Sequence, residues 1–296
     1  MTTGFVNGPA GPLHVVSGGD RTAPAILFLH GFPEYHVAWL AVARLLANSF
    51  HVILPDMRGF GRSAKPGDVT LYRAGATLAD TKAIADAFSP DRPLVVAGHD
   101  WGASAAYAFA FAFPSQVECL IVANGVHPWC FQNALLQSHA QRKASAYIHR
   151  LRADGAEGRM SENGFARTMR MLEGFSATQW MTPQLREGYL DAWSQPGAMT
   201  AMLNWYRASP LLVPDEDDAS TPEAPVLAID PERMTVRMPH LVLWGEQDRA
   251  LLPECLDGLE RFCQAGLTVR RVPQAGHWIL HEQPQEVADA ISAFCV

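Results

Sequence analysis

Four short apolar runs, at positions 25–29, 51–54, 93–97 and 119–123, are rich in Val, Ile or Leu and end at Gly or Pro signals. Runs of this length and composition read as strands buried on both faces. Positions 37–47, 77–88 and 103–113 between them carry helical spacing. The alternation predicts a doubly wound, mostly parallel sheet. After Asn124-Gly125 the rhythm stops. From about 128 to 209 the patterns are helical with no strand between them, and the acidic, proline-containing stretch 214–225 reads as loop. Strand pattern returns at 240–244 and 267–272, with helix signals at 253–265 and 284–294. The expected organisation is an α/β core formed by 1–125 and 238–296, with a helical cap inserted at 126–237.

Composition narrows the possibilities. With 48% hydrophobic and 18% charged residues in 296 positions, the chain has the make-up of a soluble globular protein. A formal net charge of −7 and no block of Lys or Arg argue against a nucleic-acid partner. The longest apolar run, 103–113, falls short of the roughly 18 residues that a membrane-spanning helix needs. The first ten residues lack the basic and apolar regions of a secretory signal. Five cysteines with no CxxC spacing fit reduced thiols in a cytoplasm. Gly59-Phe-Gly61 is not a dinucleotide fingerprint, and His36, His99, His127 and His149 show no paired-ligand spacing. Neither a metal nor another cofactor is expected.

Candidate chemistry sits where strands end. Gly98-His-Asp100-Trp-Gly102 has the strand-to-helix layout of a nucleophile elbow, with a carboxylate in place of the usual serine. Asp248 follows the 240–244 run, and His277 follows the last strand in Gln274-Ala-Gly-His277-Trp278. Each residue alone reads as a helix cap, a turn former or a packed histidine. Together, in the order nucleophile, acid, histidine, they point to catalysis. His30-Gly-Phe32-Pro33 follows the first strand, so the Phe32 amide and the amide of Trp101 are candidates for an oxyanion hole. A carboxylate is already ionised and suits backside attack at saturated carbon, whereas a serine suits acyl carbon.

The runs His30-Gly-Phe-Pro33, Asp56-Met-Arg-Gly-Phe-Gly-Arg-Ser63, Gly98-His-Asp-Trp-Gly102 and Gly276-His277 resemble those of the α/β-hydrolase-fold epoxide hydrolases. Haloalkane and haloacetate dehalogenases are close relatives. The resemblance spans about 15–295. It implies an α/β-hydrolase fold and conversion of a small apolar epoxide and water to a vicinal diol, through an alkyl ester on Asp100 cleaved by water that His277 and Asp248 activate. It also implies two cap tyrosines as acids for the opening ring. Tyr206, in Leu203-Asn-Trp-Tyr-Arg207, fits the second of these positions. Tyr147 fits the first by its spacing to Gly155, with Tyr189 as the substitute. His30, Pro33, Glu34, Trp129, Trp205 and Trp278 are the expected pocket residues, and the protein is expected to be a monomer or homodimer. Two other readings stay open: a dehalogenase that holds halide on the indoles of Trp101 and Trp129 or Trp205, and a receptor on this fold that binds a small ligand without turnover.

Overall fold

The apolar runs pair edge to edge through their backbones, and helices cover the two faces that their side chains present. In the computed structural model, which describes residues 1–218 and 223–295, β1 is Thr2–Gly8, β2 Gly11–Gly18, β3 Ala25–Leu29, β4 His51–Pro55, β5 Leu94–His99, β6 Val117–Ala123, β7 His240–Gly245 and β8 Leu267–Val272. They form one eight-stranded sheet in the order β1-β2-β4-β3-β5-β6-β7-β8. The six strands from β3 onward run parallel, and β1 and β2 are antiparallel. This is the α/β-hydrolase fold that the resemblance implied.

Helices α1 (Val37–Leu46), α2 (Ala74–Phe88) and α3 (Trp101–Ala112) connect the early strands. Between β6 and β7 come α4 (Pro128–Gln137), α5 (His139–Ser145), α6 (Tyr147–Arg152), α7 (Ala156–Gly174), α8 (Pro183–Ser194) and α9 (Ala198–Ala208), with no strand among the described residues of the insertion. The helix α7 is interrupted at 162–165, where the backbone leaves helical values. The chain closes with α10 (Ile279–Glu282) and α11 (Pro284–Phe294). Positions 219–222 of the expected acidic loop lie outside the described residues.

One expectation changes, and one hairpin is added. Residues 253–265 form two short 3-10 turns, Pro253–Leu256 and Leu259–Phe262, instead of one helix. Gly258 takes a left-handed φ of 79° between them and breaks any continuous helix. The hairpin of β1 and β2 escapes the run-based reading because β1 is largely exposed and its apolar residues do not cluster.

What secures this edge is Asp56, just beyond β4. Its buried carboxylate accepts from His14 Nδ1 (2.8 Å), His36 Nδ1 (2.7 Å) and the amides of His36 and Arg62 (2.9 Å each). Burial alone would raise the Asp56 pKa, but the bonds from His14 and His36 outweigh it and hold the group ionised. His14 lies on β2 and His36 precedes α1, so one side chain ties the hairpin, β4 and α1 together. Removing one member of such a buried charged network costs about 3–5 kcal/mol. Asp56→Ala is therefore expected to lower the unfolding free energy by about that amount, read from urea denaturation.

Candidate active site

The elbow is built by close approach of backbones. Asp100 ends β5 and opens α3 with φ 51° and ψ −120°, values that a non-glycine residue keeps only when its surroundings hold it. A Cβ on Gly102 would lie 2.1 Å from the Leu29 carbonyl oxygen, and one on Gly31 would lie 2.2 Å from Asp100 Oδ1. Glycine at both positions lets β3 and its following loop come up against the elbow. The Asp100 carboxylate makes no capping bond to its own helix. Instead Oδ1 accepts the Phe32 amide at 2.7 Å, and Oδ2 lies 3.7 Å from His277 Nε2. Its place at the start of a twelve-residue helix also favours negative charge.

Behind the histidine stands the second carboxylate. His277 Nδ1 lies 2.8 Å from Asp248 Oδ2, which also accepts Asn124 Nδ2 at 2.7 Å. The other oxygen, Oδ1, accepts the amides of Ala250 (2.7 Å) and Leu251 (3.0 Å). Burial pushes Asp248 up, but the His277 charge and these donors hold it below the usual carboxylate range. Burial likewise pushes His277 down, and the charges and bonds of Asp248 and Asp100 overcome it, raising the imidazole to about 10. The histidine is thus a cation between two carboxylates at neutral pH. Sequence reasoning gave Asn124 no part in holding the acid. Its φ of 35° and its bond from the Gly245 amide (2.8 Å to Oδ1) fix the side chain against Asp248, and the signal was its position straight after β6.

Above Asp100 opens a cavity of about 410 Å³ whose wall includes Asp100, Trp101, Tyr147, Trp205 and Tyr206. Tyr206 stands edge-on to Phe32 (5.1 Å) and Trp101 (5.0 Å), and it shares hydrogen bonding with the Tyr147 hydroxyl and the Trp101 side chain. Burial and the nearby carboxylate charges push both phenols well above their ordinary value, so both stay protonated. Tyr147 rather than Tyr189 is the second hydroxyl at this cavity. The Tyr189 hydroxyl donates to Glu34 Oε1 at 2.6 Å, away from Asp100.

Of the residues expected to line the pocket, Trp205 lines this cavity and the others do not. His30 accepts the Met57 amide on Nε2, and the Pro33 carbonyl accepts the Trp193 indole. Glu34 is buried against Tyr189 and His281, whose charge and bond outweigh burial and pull the carboxyl down to about 2. Trp129 packs under the Arg261 guanidinium at 4.5 Å, and the Trp278 indole donates to the Leu172 carbonyl. Each of these residues is tied into its own surroundings, Pro33 through its backbone carbonyl.

Comparison with known proteins places the chain among relatives over nearly its whole length. Residues 24–284 match the family model of the alpha/beta hydrolase fold. The chain is 33% identical to the AB hydrolase superfamily protein YfhM of Bacillus subtilis (strain 168), covering 97% of this chain and 95% of that protein. It is 30% identical to Epoxide hydrolase 3 of Mus musculus, covering 95% of this chain and 73% of that protein. A solved structure from work on novel epoxide hydrolases in metagenomes from hot environments superposes with a TM-score of 0.88 at 34% identity, covering 100% of this chain and 99% of that one.

The His277 charge has a thermodynamic sign. A folded pKa of about 10, above an unfolded value of about 6.5, makes a stabilising contribution that is fully present below pH 6.5 and fades as pH rises through 10. Asp100→Asn removes one of the two charges that hold the proton. NMR titration of the His277 imidazole is expected to move to lower pH in that variant, while thermal stability loses part of its decline above neutral pH.

Proposed function

The chain belongs to the α/β-hydrolase fold family and groups there with epoxide hydrolases, and from this we propose that it hydrolyses an epoxide to a vicinal diol through a covalent ester on Asp100. The observation that carries the reading is the meeting of the Asp100 carboxylate and two protonated phenols on the wall of one cavity, with the buried His277–Asp248 pair set against that carboxylate. The insertion at 126–237 acts as the cap that supplies the phenols and most of the apolar wall.

In the first step Oδ2 of Asp100, the oxygen not occupied by the Phe32 amide, attacks a ring carbon and breaks its bond to the epoxide oxygen. The leaving oxygen takes a proton from the Tyr206–Tyr147 pair. An alkoxide is a poor leaving group, and phenols this close supply the acid it needs. Esterification cancels the charge on Asp100, one of the interactions that keep the His277 proton. That proton returns to the phenolate, and the imidazole becomes a base only after the first step is complete.

In the second step His277, oriented by Asp248, removes a proton from water as its oxygen attacks the ester carbonyl carbon. Oδ1 then carries the oxyanion on the Phe32 amide, with the Trp101 amide as the second donor. Collapse breaks the bond between the Asp100 carboxyl carbon and Oδ2, which leaves in the diol with the remaining water proton, while the water oxygen stays on Asp100 and the carboxylate regains its charge. Two of the three indoles that a halide site would use are committed elsewhere. Trp205 Nε1 donates to the Arg58 carbonyl at 2.9 Å, and Trp129 packs on Arg261. This supports the epoxide over the halide reading.

One turnover of styrene oxide in heavy-isotope water, followed by digestion, tests the ester. Label is expected in the peptide bearing Asp100, and active enzyme with no label there refutes the mechanism. His277→Gln is expected to stop after alkylation and appear by intact mass as protein plus substrate. Tyr206→Phe is expected to slow alkylation about a hundredfold, a usual loss for a missing general acid, with little change in ester hydrolysis when the two phases are separated by stopped flow.

A further inference from the structure

Two arginines, Arg152 and Arg233, belong to the wall of the cavity that holds Asp100, and their charges are not used by the chemistry above. The arginine ion pairs of the described residues are those of Arg58, Arg207, Arg237, Arg270 and Arg271. Arg152 and Arg233 are in none of them, and residues 219–222 carry no carboxylate side chain. Arg152 is half-buried at the end of α6, where Nε donates to the Tyr206 carbonyl at 2.9 Å and Nη2 to the Ser209 carbonyl at 3.5 Å. Its Nη1 has no partner among the described residues. Burial pulls its pKa below the ordinary value, and no carboxylate charge opposes that pull. Arg233 is exposed, next to the buried Met234, which also lines the cavity.

Among the described residues the only carboxylate on this wall is Asp100, which is held by Phe32 and His277. A partly desolvated cation without a counter-charge is unfavourable in the empty protein and favourable once an anion arrives. The chain as a whole carries −7, so its overall field repels anions and any attraction must be local. The remaining wall is dominated by apolar groups such as Phe131, Ile148 and Leu211.

Building on the epoxide-hydrolase reading, we propose that the substrate is an epoxide joined through an apolar segment to a carboxylate, which Arg152 and Arg233 bind while the ring lies against Asp100. A guanidinium offers two parallel donors that match the two oxygens of a carboxylate. The apolar wall covers the segment between the two ends.

The test compares three probes: the terminal epoxide of a medium-chain alkenoic acid, its methyl ester and its primary amide. For each, kcat/KM is measured with wild-type protein, Arg152→Gln and Arg233→Gln. The acid-to-amide ratio within each protein is the readout, because it cancels any general loss of activity that Arg152→Gln causes through its bond to the Tyr206 carbonyl. Wild type is expected to favour the acid about tenfold, the scale of one charge-assisted hydrogen bond. Each variant is expected to bring the ratio towards one, and added potassium chloride to lower it for wild type. A wild-type ratio at or below one, with the amide and ester turned over, overturns the carboxylate site and leaves the hydrolase reading standing. A preference for the acid that survives in both variants also overturns it. Failure to open any of the three probes or styrene oxide overturns both.

Discussion

The candidate site rests on a backbone constraint: one non-glycine residue is held at positive φ between a strand and a helix. Such a conformation costs on the order of 1–3 kcal/mol and lasts only where its neighbours leave no alternative. Here the neighbours are the Leu29 carbonyl against Gly102, the Phe32 amide on the Asp100 carboxylate, and the Asn124 carbonyl 3.3 Å from the Asp100 amide. Three adjacent parallel strands, β3, β5 and β6, thus end on the same residue. The sheet order puts them side by side, and this brings groups far apart in the chain to one carboxylate.

The electrostatics follow from that geometry. Asp100 and Asp248 lie on opposite edges of one imidazole, and neither is free to relax: the first is held by Phe32, the second by Asn124, Ala250 and Leu251. A histidine enclosed in this way keeps its proton until one of its flanking charges disappears. On the proposed mechanism the substrate itself removes that charge, so the order of the two chemical steps is written into the resting protonation state.

Much of this was legible from the chain. The apolar runs marked β3 to β7, because strands buried on both faces need uninterrupted apolar residues; β8, largely exposed, was read from its strand-like pattern at 267–272. Asp100, Asp248 and His277 were visible because each follows a strand, and the structure sets His277 between the two carboxylates, 2.8 Å from Asp248 and 3.7 Å from Asp100. Less legible were features that depend on which side of a loop faces inward. His30, Pro33, Glu34, Trp129 and Trp278 sit near the site in sequence, yet each bonds into its own surroundings. The choice between Tyr147 and Tyr189 turned on Glu34, a partner 155 positions from Tyr189 that no local pattern reveals. The roles of Asn124 at Asp248 and Asp56 at the edge of the sheet are likewise long-range.

The helix that carries Tyr206 is bolted to the core: Trp205 donates to the Arg58 carbonyl and Asn204 to the Gly67 carbonyl. Wall residues Leu211, Val226 and Ile229 lie outside that helix. On the proposed mechanism, replacements at such wall positions would give descendants of this gene new diets while the acid that opens the ring keeps its aim.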